Sequence, residues 1–243
     1  MCGRYASARS TADLATLLGA TDETGDVLAE PDYNVAPTKP VPAAIVRHEE
    51  RRLVALRWGL VPSWAKDPRI GSRLINARAE TLADKPAFRS ALARRRCLLP
   101  ADGFYEWMPD PSGSGPKQPY YLARADGGLL AMAGLYEIWR DAEDRLLWSA
   151  TVITTAAADD VGHIHDRAPM TVPPAQWAAW LDPASPAPLD ALRPAVPGAL
   201  RAVPVSTLVN NVRNNGPELL VPAPDKNPAD LPRTGGVNRV ASG

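Results

Sequence analysis

Apolar and polar residues alternate along much of this chain in short runs of the half-buried strand type, with only three stretches at helical spacing. Val41 to Val46 and Leu53 to Arg57 predict two strands joined by a charged turn, His48 to Arg52. Cys97 to Leu99, Phe104 to Met108, Tyr120 to Arg124, Leu129 to Tyr136 and Leu147 to Thr154 predict further strands, and Cys2 to Ala6 a short opening one. A helix is expected after Ser10, a good N-cap with Asp13 three residues on, because Leu14, Leu17 and Leu18 form a stripe that stops at Gly19. Pro86 to Arg95 predicts a second helix, with proline in its first turn and arginines at its C-terminal end. Pro174 to Trp180 predicts a third.

Between these elements, Tyr33 to Pro37 reads as a loop by its Asn and Pro content. Gly59 to Leu74 reads as irregular, broken by Pro62, Trp64 and Pro68, and Asp110 to Pro116 as an exposed loop. The pattern predicts an α+β fold: one β-rich domain over residues 1–222 with peripheral helices. Residues 223–243, rich in Pro, Gly, Asn and Asp, offer little to bury and predict a disordered tail.

Composition narrows the function classes. Hydrophobic residues make up 45% of the 243 and charged residues 22%, ordinary values for a soluble domain with a sizeable core. No apolar run approaches the roughly 20 residues that span a bilayer, and no signal-like stretch opens the chain. A cytoplasmic monomer is expected. Basic and acidic residues balance at 27 each, which excludes coating nucleic acid by bulk charge; any such binding must use a local basic face.

Cys2 carries the most distinctive chemistry. Removal of Met1 would leave a free α-amine, with a reference pKa of about 7.7–8.0, two carbons from a thiol. Such a 1,2-aminothiol condenses with an aldehyde: the amine forms a Schiff base, and sulfur closes a thiazolidine ring. Cysteine beside an initiator Met also occurs without function. Glu106, between Tyr105 and Trp107, has the alternation of a strand's solvent face. His163 and His165 are two apart, but with three histidines in all and no acidic or Cys cluster nearby they predict no metal site. His163 reads as structural, His48 as a turn residue and Cys97 as a buried thiol. The run Arg94-Arg95-Arg96 reads as a solvated helix end more readily than as a DNA contact.

Seven segments in order resemble the SRAP family, whose members include bacterial and human abasic-site processing enzymes. They are Cys2-Gly3-Arg4-Tyr5, Tyr33-Asn34-Val35-Ala36-Pro37, Arg57-Trp58-Gly59-Leu60-Val61-Pro62-Ser63-Trp64 and Ile75-Asn76-Ala77-Arg78-Ala79-Glu80. Ala101-Asp102-Gly103-Phe104-Tyr105-Glu106-Trp107, His165-Asp166-Arg167-Ala168-Pro169-Met170, and Val205-Ser206 leading to Asn211 and Asn214 complete the set. Ala168 departs from the bulkier residue the family often carries there. The resemblance implies Cys2 as nucleophile, Asn76 as the group orienting the abasic sugar, and Glu106 and His165 as the proton-transfer pair.

By the same resemblance the partner is single-stranded DNA containing abasic sites, and no cofactor is needed. Arg4, Arg57, Arg78 and Arg167, each within a matched motif, are then expected at phosphates, because guanidinium donates in a planar fork. Trp64, more than Trp58, is expected to stack on bases. Two alternatives stay open: a thiol peptidase or amidohydrolase using Cys2, Glu106 and His165 on peptide bonds, and a non-catalytic nucleic-acid-binding module.

Overall fold

The computed structural model describes residues 2–157, 159–186 and 198–223. Its strands are β1 (Tyr5–Ser7), β2 (Thr21–Asp22), β3 (Asp32–Val35), β4 (Pro40–Arg47), β5 (Glu50–Trp58), β6 (Asn76–Arg78), β7 (Arg96–Ala101), β8 (Gly103–Met108), β9 (Gln118–Arg124), β10 (Leu130–Arg140), β11 (Leu146–Ala156), β12 (Arg167–Pro169) and β13 (Leu200–Pro204). The helices are short: α1 (Thr11–Leu18), α2 (Pro86–Arg94), α3 (Asp159–Gly162) and α4 (Trp177–Leu181). The fold is α+β, as the alternation predicts.

Five strands close into a barrel. Antiparallel pairs join β5 to β4, β4 to β7, β7 to β10 and β10 to β11. The ring is sealed by a short parallel pairing in which Ser149 and Ala150 of β11 meet Arg57 and Trp58 of β5. The same edge of β11 then takes β6, with Val152 opposite Asn76 and Thr154 opposite Arg78. Strands β5 and β6 thus lie in line along β11, and residues 59–75 are an excursion that leaves that line and returns to it. Period-2 alternation divides each barrel strand between two cores. Ala43, Ile45, Leu56, Trp58, Cys97, Leu99, Met132, Ala150 and Val152 fill the interior. Ala44, Leu53, Leu98, Ala131, Ala133 and Ile153 face outward, under Leu14 and Leu18 of α1, Phe88 and Leu92 of α2, and Trp180 of α4.

A second, five-stranded sheet in the order β13-β9-β8-β1-β3 covers one end of the barrel. Its inner face contributes Cys2, Tyr5, Val35, Phe104 and Leu122 to the barrel's interior cluster. Its outer face, with Ala6, Tyr105 and Tyr121, is covered by Val205, Val209 and Leu219 of the C-terminal segment. Glu106 of β8 therefore has protein on both sides of its sheet.

Several expected boundaries shift. Tyr33 to Pro37 is a strand through Val35, because the Asn34 side chain bonds to another segment instead of to its own turn. The opening strand begins at Tyr5. The hairpin between β4 and β5 turns at His48 and Glu49 alone, both at left-handed φ (53° and 64°). The expected Pro174–Trp180 helix is a 3-10 turn, Pro174–Gln176, followed by α4. Within Gly59–Leu74 a 3-10 turn spans Pro68–Arg73.

The Arg94–Arg96 run is solvated only at Arg94. Arg96 is 2% exposed, lies over the Trp180 ring, and donates to the carbonyls of Leu92, Ala93, Trp180, Asp182 and Ser185. Arg95 pairs with buried Glu137 at 2.8 Å. Arg96 caps backbone carbonyls and ties α2 and α4 to the barrel, while Arg94 stays exposed. The tail expected from residue 223 lies outside the described residues from 224 on; Ala223 itself donates to the Pro204 carbonyl at 2.8 Å.

Candidate active site

Four segments distant in sequence converge where the second sheet meets the barrel end. Cys2 precedes β1 and is fully buried. Its carbonyl accepts from Asn76 Nδ2 at 2.8 Å, which ties the N-terminal segment to β6. A carbonyl needs a donor, so this contact fixes the amide's orientation and leaves Asn76 Oδ1 buried without a hydrogen-bond partner. The Cys2 thiol receives the Arg4 backbone N–H, but burial and then the Glu106 carboxylate push it far above its ordinary pKa. Cys2 and Cys97 are both free thiols, and burial pushes Cys97 up as well.

Glu106 is 2% exposed, so the solvent-face reading of its strand is wrong: the barrel end covers the side to which it points. Burial holds its carboxyl above the usual carboxylate range, opposed by His165 close by and by the Trp107 backbone N–H. His165 lies just before β12. Its Nδ1 accepts from the Arg167 backbone N–H at 2.9 Å, while Asp166 Oδ1 is also 2.9 Å away. An acceptor such as Asp166 requires a proton on Nδ1, and the Asp166 side chain is 87% exposed. The backbone contact is therefore the one that sets the neutral tautomer, with the proton on Nε2. A raised carboxyl beside an imidazole, next to the buried Cys2, suits proton transfer.

The five expected DNA contacts divide. Arg78 shares one face of β6 with Asn76, two residues away, and is exposed with no ion pair to a described carboxylate. Trp64 is 60% exposed. Arg57 is half-buried and its Nη1 reaches the Pro68 carbonyl at 3.5 Å. Arg4 is a clasp: its Nη1 donates to Asn34 Oδ1 at 2.7 Å and to the Val209 carbonyl at 2.8 Å, with the guanidinium over Trp107. Arg167 forks onto Glu80 at 2.7 and 3.0 Å and donates to the Thr154 carbonyl at 2.7 Å. That pairing draws the Glu80 carboxyl down to about 2. Trp58 is core, its indole donating to the Ile75 carbonyl at 2.9 Å.

Two residues gained no role from the sequence. Tyr5 sits 5.1 Å from the Trp58 ring, and its fully buried hydroxyl has no hydrogen-bond partner. Asn34, also fully buried, accepts from Arg4 and donates Nδ2 to the carbonyls of Asn211 and Asn214 at 3.0 and 2.9 Å. A lone Asn between apolar positions is the one sequence signal that marks such a hub. His163 is exposed and His48 occupies the β4–β5 turn. Among the described residues no three His, Cys, Asp or Glu side chains gather as metal ligands. No helix there is long and apolar enough to cross a membrane.

The family model described as SOS response associated peptidase (SRAP) matches residues 1–212. The abasic site processing protein YoqW of Bacillus subtilis is 39% identical over 224 residues, covering 90% of this chain and 99% of its own. The abasic site processing protein HMCES of Gallus gallus is 34% identical over 264 residues, covering 91% and 78%. A crystal structure of a Bacteroides thetaiotaomicron protein, 23% identical, shares the fold with a TM-score of 0.81 over 91% of this chain and all of its own. A phage-related protein of Bordetella bronchiseptica, 30% identical, gives 0.66 over 84% and 94%. By matched length and by identity, this chain belongs to the SRAP family.

Proposed function

We propose that this protein captures abasic sites in single-stranded DNA covalently through Cys2. The observation that carries the reading is the meeting of buried Cys2 and Glu106 with half-buried Asn76 and His165, joined by the Asn76–Cys2 hydrogen bond. The names of the relatives point to the same substrate. Once Met1 is removed, the Cys2 amine attacks C1′ of the ring-opened sugar. Glu106, whose carboxyl burial raises above the usual carboxylate range, gives a proton to the departing hydroxyl, and water leaves as the C=N bond forms. The thiol then adds across that bond, its proton passing to nitrogen, and a thiazolidine closes. Overall, protein and DNA join with loss of one water. His165 Nε2 and Glu106 move the protons, Asn76 orients the sugar, and Arg78 takes a flanking phosphate. No cofactor enters these steps.

The thiol's state favours this order over peptide hydrolysis. A cysteine peptidase needs a thiolate, with its pKa lowered by an adjacent imidazolium. Here burial and a carboxylate push the Cys2 thiol the other way, so the amine is the better first nucleophile. Intact-mass analysis after incubation with an abasic single-stranded oligonucleotide is the test. The expected adduct equals protein plus DNA minus one water, and it is absent from Cys2→Ala. An N-terminal extension that cannot be cleaved turns the amine into an amide and should abolish the heat-stable adduct. A stable adduct from the extended protein, without self-cleavage, would refute the amine-first mechanism.

A further inference from the structure

We propose that Glu80 is a positioning residue for proton transfer: through its fork onto Arg167 it fixes the peptide whose N–H chooses the tautomer of His165. This rests on the reading of His165 as a carrier of protons in the capture by Cys2.

Strand β11 runs between the two strands that present Asn76 and His165. Its Thr154 pairs with Arg78 of β6 on one side and with Pro169 of β12 on the other. Glu80 follows β6 in a 3-10 turn, Ala79–Thr81, and Arg167 opens β12. The Arg167 side chain reaches across β11. Its Nη1 donates to Glu80 Oε1 at 2.7 Å and its Nη2 to Glu80 Oε2 at 3.0 Å, while Nη2 also donates to the Thr154 carbonyl at 2.7 Å. One guanidinium thus straps β6, β11 and β12 together. Two parallel charge-assisted bonds fix its plane as well as its place, which a single contact would not do.

What the strap holds is one peptide. The unit between Asp166 and Arg167 offers its carbonyl to the Ala157 N–H at 3.0 Å and its own N–H to His165 Nδ1 at 2.9 Å. β12 is only three residues long and this peptide stands at its open end, so strand pairing restrains it little. The Arg167 side chain supplies the rest. A second partner stands at the same ring nitrogen, because Asp166 Oδ1 is also 2.9 Å from Nδ1. The two partners demand opposite tautomers. A backbone N–H needs Nδ1 bare and leaves the proton on Nε2; a carboxylate needs the proton on Nδ1 and leaves Nε2 bare. Loosening the Arg167 peptide hands Nδ1 to Asp166, and Nε2 can then no longer donate. The same fork occupies Arg167, so Glu80 either aims His165 or merely holds the place of a phosphate, and these two roles respond differently to its replacement.

The test uses the whole protein with Glu80→Gln, which keeps the shape but gives up the charge, at a half-exposed position where the fold tolerates the change. A second variant, Glu80→Gln/Asp166→Ala, also removes the competing carboxylate. Proton–nitrogen correlation spectra of the imidazole at about pH 8, where an ordinary histidine is neutral, read the tautomer without DNA. Wild type should show Nδ1 bare, Glu80→Gln a share of molecules with the proton on Nδ1, and the double variant the wild-type pattern. Adduct formation with an abasic single-stranded oligonucleotide, followed by intact mass against time, should slow about tenfold in Glu80→Gln and recover in the double variant; a positioned proton-transfer group supplies roughly 100-fold or more, of which this is a part. Binding of the same oligonucleotide without the lesion, by anisotropy, should keep its affinity and its salt dependence. An unchanged tautomer or an unchanged rate in Glu80→Gln would overturn the proposal. Tighter, more salt-sensitive binding with the tautomer unchanged would overturn it too, and make Glu80 a stand-in for phosphate on Arg167. If wild type forms no adduct, the covalent reading fails by itself, and the spectra still decide whether Glu80 sets the tautomer.

Discussion

Asn34 joins three parts of the molecule, and replacing it should cost more than a surface-like polar residue would suggest. Its Nδ2 carries two hydrogens and faces three carbonyls, those of Asn211, Asn214 and, at 3.4 Å, Val209. Two good bonds are the most it can make, and the two shorter contacts are those. Its Oδ1 takes a charge-assisted bond from Arg4 at 2.7 Å. Asn34→Ala removes all three and takes a donor from the Asn214 carbonyl, while the Asn211 carbonyl keeps the Asn214 N–H at 3.1 Å. At about 1 kcal/mol for each neutral bond and about 1.5–3 for the charged one, the expected loss is about 4 kcal/mol. That is a large share of a typical stability of about 5–15 kcal/mol. Asn34→Asp separates the terms: it keeps the Arg4 bond but turns the donor into another acceptor among carbonyls, so it should destabilise nearly as much. Urea denaturation measures both, and amide exchange over residues 206–215 should rise first, where the segment loses its tether. A loss below about 1 kcal/mol in both variants would refute the claim that Asn34 holds the C-terminal segment to β3.

Three further expectations follow from the site. Tyr5→Phe removes a buried hydroxyl without a hydrogen-bond partner, so thermal stability should stay the same or rise slightly; a drop of more than about 1 kcal/mol would mean that the hydroxyl is satisfied. Glu106 has its folded pKa raised, so the folded state loses stability as pH climbs from the unfolded value through the folded one. Glu106→Gln should therefore be more stable than wild type at neutral pH, with the gap closing below about pH 4, while adduct formation slows; denaturation across pH checks the sign. Glu80 shows the opposite case, its carboxyl drawn down to about 2 by Arg167. The stability it adds is present above its unfolded pKa and is lost as pH falls through about 2. Glu80 is half-exposed, so Glu80→Gln should cost only about 1 kcal/mol near neutrality and nothing in strong acid.

The elements themselves were legible from local patterning. Ser10 accepts from the Asp13 N–H and Gly19 ends α1 in the left-handed conformation, as the capping signals predict. The alternating runs are the barrel strands, because a period of two needs no knowledge of the partner strand. Cys2, Asn76, Glu106 and His165 could be named through motif resemblance, and Trp64 through its irregular context. Periodicity does not say what covers a strand's second face. Glu106 has the pattern of a solvent-facing residue and became buried only when the second sheet closed the barrel end. The arginines show the same limit. Arg4, Arg78, Arg96 and Arg167 carry one charge and one side chain, yet one is a clasp, one is open, one caps carbonyls in the interior and one is held by Glu80. A guanidinium's role depends on which acceptors tertiary contacts bring within about 3 Å, and those acceptors lie up to 205 residues away along the chain. The parallel seam between β5 and β11 belongs to that class too: it involves only Arg57, Trp58, Ser149 and Ala150, and no local signal in either strand specifies it. Local chemistry wrote the elements and the candidate nucleophile; closure of the barrel decided which side chains gather at the candidate site.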